Sequence, residues 1–154
     1  MKRFAVIAAL AAVVVLVAGM VAQARSPHRA RRATTVHVIE HATTDKVVDI
    51  GAAGDSTGDL ITWHNQLFNS ANVSKVGRDQ GECIRISVAA GSWECTWINW
   101  VPGGSITVEG PFFDTKDSTL AITGGTGNYA GAGGSMQLQS RNGGAEYDFF
   151  FTFS

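Results

Sequence analysis

Basic residues are scarce in the body of this sequence. From Ala33 onward only Lys46, Lys75, Arg78, Arg85, Lys116 and Arg141 stand against all thirteen Asp and Glu, a net charge near −7. A body of that sign repels phosphate backbones and excludes nucleic acid as the main partner. Cysteine is scarcer still. Cys83 and Cys95 are the whole complement, with no C-x-x-C pair and no Cys/His cluster, so no metal and no cofactor is expected. His37 and His41 share a strand face, but four residues along a strand span about 13 Å, too far for one zinc centre. A G-x-S-x-G elbow is missing, which leaves a Ser-His-Asp triad unsupported. From Thr34 onward no run carries a helical period, so no helices are expected to cover a sheet.

What is present begins with a targeting segment. Lys2 and Arg3 precede an uncharged apolar run that ends in Ala22-Gln23-Ala24. A basic start, an apolar stretch and an A-x-A site read as a secretory signal peptide over residues 1–24. The alternative is an uncleaved anchor, because the run is about long enough to span a bilayer; only then would a membrane be a partner. Arg25, Arg29, Arg31 and Arg32 make residues 25–33 a basic flexible leader. Either way the domain, residues 34–154, lies outside the cytoplasm, secreted or anchored in the envelope. In that compartment Cys83 and Cys95 are expected to form a disulfide. If they face each other across a hairpin turning near Ala90-Gly91, Arg85 falls opposite Trp93.

Eight short segments alternate in the manner of strands, each bounded by Gly, Asn, Asp or Pro: "TTVHVIEHAT", "LITWHNQLF", "ECIRISVA", "SWECTWINWV", "GSITVEGPF", "STLAIT", "GSMQLQS" and "AEYDFFFTF". "PGG" at Pro102–Gly104 is a tight reversal. Asn142-Gly143 is the favoured pair of a type I′ hairpin turn. Centring a hairpin there puts Met136, Leu138, Tyr147 and Phe149 on one face and Gln137, Gln139, Glu146 and Asp148 on the other. The glycine-rich "AITGGTGNYAGAGG" (Ala121–Gly134) has no Lys and precedes a strand pattern, so it is a barrel corner and not a phosphate loop. Together these features predict an all-β fold, an antiparallel barrel or a sandwich.

The blocks "GDSTGDLITWHNQLF", "VGRDQGEC", "SITVEGPF" and "LAITGGTGNYAGAGG", in that order, resemble the allene oxide cyclase and dirigent-like barrel superfamily over about Val36 to Phe153. The resemblance implies an eight-stranded antiparallel β-barrel, commonly a homotrimer, around an elongated apolar cavity. Plant cyclases of this type fold an unsaturated fatty-acid epoxide into a cyclopentenone, dirigent proteins orient phenolic radicals, and related bacterial barrels cyclise polyketide intermediates. Glu40 falls where the cyclases keep a first-strand glutamate that steers charge in the substrate. Asn65 matches an asparagine that helps hold a water at the epoxide, and Cys83 matches a cavity-lining cysteine. Four features depart: Ala42 replaces a second asparagine, Phe112 replaces a tyrosine, the Ser-Pro after the first strand has no counterpart, and Cys83 has an expected disulfide partner in Cys95.

The expected role is binding of an apolar small molecule and guidance of its cyclisation or isomerisation without a cofactor. Such chemistry relies on holding a flexible substrate in one reactive conformation near a polar group. Glu40 and Asn65 are the candidate catalytic residues. Cys83, Arg85, Trp93, Trp97 and Phe112 are the candidate substrate-binding residues. Each has a plainer alternative: Glu40 as a solvent-facing strand residue, Asn65 pairing with backbone at a strand irregularity, Arg85 partnering an acidic neighbour. Trp63, Trp93, Trp97 and Trp100 cannot all face one way, since Trp97 and Trp100 differ in parity. The competing whole-protein reading is a non-catalytic carrier or a structural barrel filled by its own side chains.

Overall fold

In the computed structural model the described residues are 35–154. The signal-peptide reading of residues 1–24 and the leader at 25–33 lie outside them. Ten strand segments follow one another: β1 (Thr35–His41), β2 (Lys46–Val48), β3 (Leu60–Trp63), β4 (Gln66–Asn69), β5 (Lys75–Ser87), β6 (Ser92–Val101), β7 (Gly104–Phe113), β8 (Ser118–Gly127), β9 (Gly134–Arg141) and β10 (Glu146–Phe153). Every pairing is antiparallel. β4 and β3 lie end to end along one edge of β5, and β1 and β2 lie end to end along the far edge of β4 and β3. Counting each broken pair as one position gives eight. The other edge of β5 pairs with β6, which closes the sheet into an eight-stranded barrel. Closure removes the exposed edges that an open sheet would present.

Alternation along the strands fills the interior. Val38, Phe149 and Leu138 form one inward row across β1, β10 and β9, and Val36, Phe151 and Met136 form the next. Phe149, Phe151, Met136, Leu67, Ile106 and Val108 are all but fully buried. At about 1.5–3 kcal/mol for each large apolar side chain taken out of water, this packing is the main stabilising term of the barrel.

The turns show where local chemistry sets the register. Cys83 faces Cys95 and Arg85 faces Trp93, as the hairpin arithmetic requires, with Gly91 (φ +58°) closing the turn. Val101 pairs with Gly104 across Pro102-Gly103, where proline fixes the first turn position and Gly103 (φ +97°) takes the left-handed second. Asn142 and Gly143 adopt positive φ (49° and 70°), but the loop runs on through Gly144 and Ala145 before Glu146 pairs with Arg141. The register is therefore displaced by two residues from a centred two-residue turn: Leu138 meets Phe149, not Tyr147. A shift of two preserves parity, so the inward and outward faces are unchanged.

The glycine-rich stretch is architecture. A Cβ on Gly127 (φ +62°) would run into the carbonyl oxygen of Gly103 on the adjoining turn. Asn128 donates its N–H to that same carbonyl (2.8 Å), and the Tyr129 hydroxyl donates to the carbonyl of Pro102 (3.1 Å). The corner thus folds down over the β6–β7 turn, where side chains have no room.

Candidate functional site

The barrel wall is broken twice, side by side. The first strand is interrupted between His41 and Lys46, and its neighbour between Trp63 and Gln66. Breaks leave backbone groups without ladder partners; the Thr44 hydroxyl takes up the N–H (2.8 Å) and carbonyl (2.9 Å) of His64, and the Asn65 side chain takes up others. Its Oδ1 accepts from the N–H groups of Thr43 and Thr44 and from the Thr44 hydroxyl, each at 3.0 Å. Its Nδ2 donates to Glu40 Oε1 at 2.9 Å and to Asp45 Oδ1 at 2.7 Å. Its backbone N–H donates to the carbonyl of Asp79 at 3.1 Å and to Asp79 Oδ1 at 3.2 Å. Asn65 therefore does repair a strand irregularity, and the same amide fixes the Glu40 carboxyl.

Glu40 is 5 % exposed and Asp79 fully buried. Burial pushes the Glu40 carboxyl well above the usual range, and the neighbouring Asp79 charge adds to the effect. Burial also raises Asp79, to about 6, against the opposing pull of the Asn65 backbone N–H that donates to it. Two buried carboxyls side by side oppose each other's ionisation, and burial acts on both, with Glu40 pushed the harder towards its protonated form.

The acid faces a chamber of about 100 Å³. Its polar lining is the buried Glu40 and the solvent-exposed Asp45. Its walls are the rings of Trp63, Trp97, Phe112, Tyr147 and Phe149, completed by Ile61, Leu138 and the Cys83–Cys95 disulfide. Trp63 meets Trp97 edge to face at 5.5 Å, and Phe112 meets Tyr147 in the same way at 6.0 Å. Gly81 makes the first contact possible. A Cβ there would overlap the Cβ of Trp97 and press on the Trp63 ring, so the tryptophans share the space over a bare backbone. Phe112, Leu138 and Tyr147 also wall a rim basin of about 360 Å³ between the β7–β8 and β9–β10 turns.

Of the residues singled out in the sequence, Glu40, Cys83, Trp97 and Phe112 line the chamber. Asn65 stands behind Glu40. Arg85 and Trp93 are not among the lining residues. Arg85 is held by Asp55, through Nε (2.7 Å) and Nη2 (2.6 Å), and by Asp114, through Nη1 (2.6 Å). It lies over the Trp93 ring at 4.1 Å, and Trp93 Nε1 donates to Asp114 Oδ1 at 2.8 Å. This knot pins the β2–β3 loop and the β7–β8 turn to the inner face of the β5–β6 hairpin. Trp100 faces outward beneath Arg78. Asp45, Asp79, Gly81 and Tyr147 are the contributors that sequence reasoning passed over. The disulfide register held a clue to two of them: Asp79 and Gly81 share parity with Cys83 and so point inward with it.

A family model described as allene oxide cyclase matches residues 31–154. The chain belongs to the allene oxide cyclase family. Its fold recurs in solved structures of a pyocyanin demethylase (TM-score 0.68, 23% identity, covering 79% of this chain and 100% of that one). It recurs in a pterocarpan synthase dirigent protein (0.64, 17%, covering 80% and 86%) and in an exo-specific intermolecular Diels–Alderase (0.64, 15%, covering 80% and 98%). At these identities the likeness is one of architecture: an allene oxide cyclase/dirigent-like barrel. Two departures from the cyclase pattern can now be placed. Ala42 sits in the first strand break and donates its N–H to the Ala145 carbonyl (3.1 Å). Phe112 lacks the tyrosine hydroxyl, but the ring packed against it is Tyr147, which puts a phenol in the same wall. Burial and the Glu40 charge raise the pKa of that phenol.

Proposed function

We propose that this family member binds an apolar small molecule in the aromatic chamber and guides its cyclisation or isomerisation, with Glu40 as general acid. The observation that carries the proposal is a buried carboxyl, held by Asn65 in the lining of an aromatic chamber, whose pKa burial raises. An acid with a raised pKa keeps its proton at neutral pH and can deliver it to a carbonyl, epoxide or alkene of a bound substrate. Trp63, Trp97, Phe112 and Phe149 restrict the substrate to a reactive conformer, the other half of such catalysis. The chamber takes one ring or a short chain segment. The rest of a larger ligand would lie past the Phe112–Tyr147 pair in the rim basin. Secretion is part of the same reading, supported by the signal-like start and by the disulfide.

The test is native mass spectrometry of the protein from its own host, followed by turnover assays with whatever mass co-purifies. Glu40→Gln keeps the shape and the Asn65 contact, so it should retain the ligand while product formation falls by at least a hundredfold. Trp97→Ala should lose the ligand. Equal turnover by Glu40→Gln and wild type would end the general-acid assignment. A second reading, a non-catalytic carrier or structural barrel, is favoured by the small chamber and by the side chains that fill the rest of the interior. It is selected if Glu40→Gln changes neither binding nor any product.

A further inference from the structure

The chamber combines five aromatic rings with two carboxyls, and among the described residues no Lys, Arg or His lines it. The inward cation on β5, Arg85, is neutralised by two carboxylates of its own, Asp55 and Asp114. Around Glu40 the facing groups are Asp45 from the β1–β2 break, Asp79 from β5 and Tyr147 from β10. On β4 the residue in register is the uncharged Leu67. Among the described residues every ionisable neighbour is acidic. Burial opposes ionisation of Tyr147 most, and the acidic groups Glu40, Asp45 and Asp114 add to it.

A chamber of this kind discriminates by charge. An anionic ligand, a fatty carboxylate for example, would meet two or three carboxyls with no counter-cation and lose its hydration as well. A positive ligand meets the negative faces of the rings and the carboxyls together, the combination by which proteins recognise organic cations. We infer that the chamber takes a flat organic cation, or a neutral base that becomes one by accepting the Glu40 proton, and that it rejects anions. This rests on the chamber being the ligand site, and it narrows the substrate class of that site. Binding a permanent cation favours ionised Glu40. The carboxyl proton leaves for solvent, the O–H electron pair stays on the carboxylate, and that carboxylate balances the ligand's charge. Binding a neutral base moves the same proton onto the ligand, with none released.

Three single-ring probes test the charge rule: N-methylpyridinium, its neutral isostere toluene, and benzoate. Binding is read from the Trp63 and Trp97 indole N–H resonances, assigned with Trp63→Phe and Trp97→Phe. The expected result is N-methylpyridinium at least tenfold tighter than toluene, with no saturable shift from benzoate. The affinity for the cation should rise with pH, with proton release measurable in buffers of different ionisation enthalpy. Glu40→Gln should weaken the cation and remove its proton release without weakening toluene. Toluene binding as tightly as the cation, or saturable benzoate binding, overturns the charge rule and leaves the chamber standing as an apolar ligand site. Silence of both indoles to all three probes overturns the chamber itself, and the proposed function with it.

Discussion

Replacing Asp79 by Asn should make the protein more stable at neutral pH, by an amount that can be worked out. Asp79 is fully buried, its Oδ1 accepts only the Asn65 N–H, and Oδ2 has no donor unless Glu40 supplies its proton. Burial raises its pKa from 3.8 to about 6, so the fold prefers the neutral form. A carboxyl raised on folding contributes fully below its unfolded pKa, near 4, and that contribution is lost as pH rises through 6. The displacement corresponds to about 3 kcal/mol at pH 7.5. Asparagine keeps the Oδ1 acceptor, carries no charge at any pH, and presents an amide donor toward Glu40. Urea unfolding followed by tryptophan fluorescence, at half-unit steps from pH 4 to 8, should give Asp79→Asn and wild type the same stability at pH 4. The variant should be more stable by about 3 kcal/mol at pH 7.5. Removing the Asp79 charge should also lower the Glu40 pKa, while burial keeps it above the usual range. A variant less stable than wild type at pH 7.5, or one with the same pH slope, would refute the assignment of a strained buried carboxyl pair.

Two further outcomes follow from single contacts. Reducing the Cys83–Cys95 bond, or replacing both by Ala, should lower stability by about 3 kcal/mol, because the bond closes a short loop in the unfolded chain; an unmoved urea midpoint would show that it constrains nothing. Gly81→Ala should force Trp97 from its seat, lower stability by about 1–3 kcal/mol and erase the near-ultraviolet dichroism of the Trp63–Trp97 pair, whereas unchanged spectra and stability would mean that the two rings do not depend on Gly81.

The strands were legible in the sequence because alternation and turn chemistry agree along most of the chain; these left barrel and sandwich open, and the family resemblance pointed to the barrel. The Cys83–Cys95 register and the Pro102-Gly103 turn could be placed by counting alone. What escaped did so for physical reasons. β5 reaches back to Lys75, yet Gly77, Arg78, Asp79 and Gly81 are poor strand formers, and a buried aspartate inverts the expected polar-out pattern. β2 has three exposed residues and pairs only with β3, so nothing in its own composition marks it. In the site, Glu40 and Asn65 were recognisable one at a time. Their meeting was not, because 25 positions separate them and the break that joins them exists only when two strands lie side by side. Arg85 and Trp93 were read by face alone. The face is right, but Asp55 and Asp114, 30 and 29 positions away from Arg85, occupy their polar atoms.

The strand breaks explain why position 65 is asparagine. The side chain there must accept from the N–H groups of Thr43 and Thr44 and donate to Glu40 and Asp45 at the same time. Aspartate could accept but not donate, and it would add a third buried carboxylate beside Glu40 and Asp79. Leucine would leave two backbone N–H groups unpaired at the break and release the Glu40 carboxyl. Only an amide, with both kinds of atom on one rigid plane, closes the gap in the wall and holds the acid in the chamber lining. The irregularity that ends two β-ladders is thus the same feature that places a proton donor inside an otherwise apolar barrel. A continuous pair of strands at that point would have left Glu40 without its clamp.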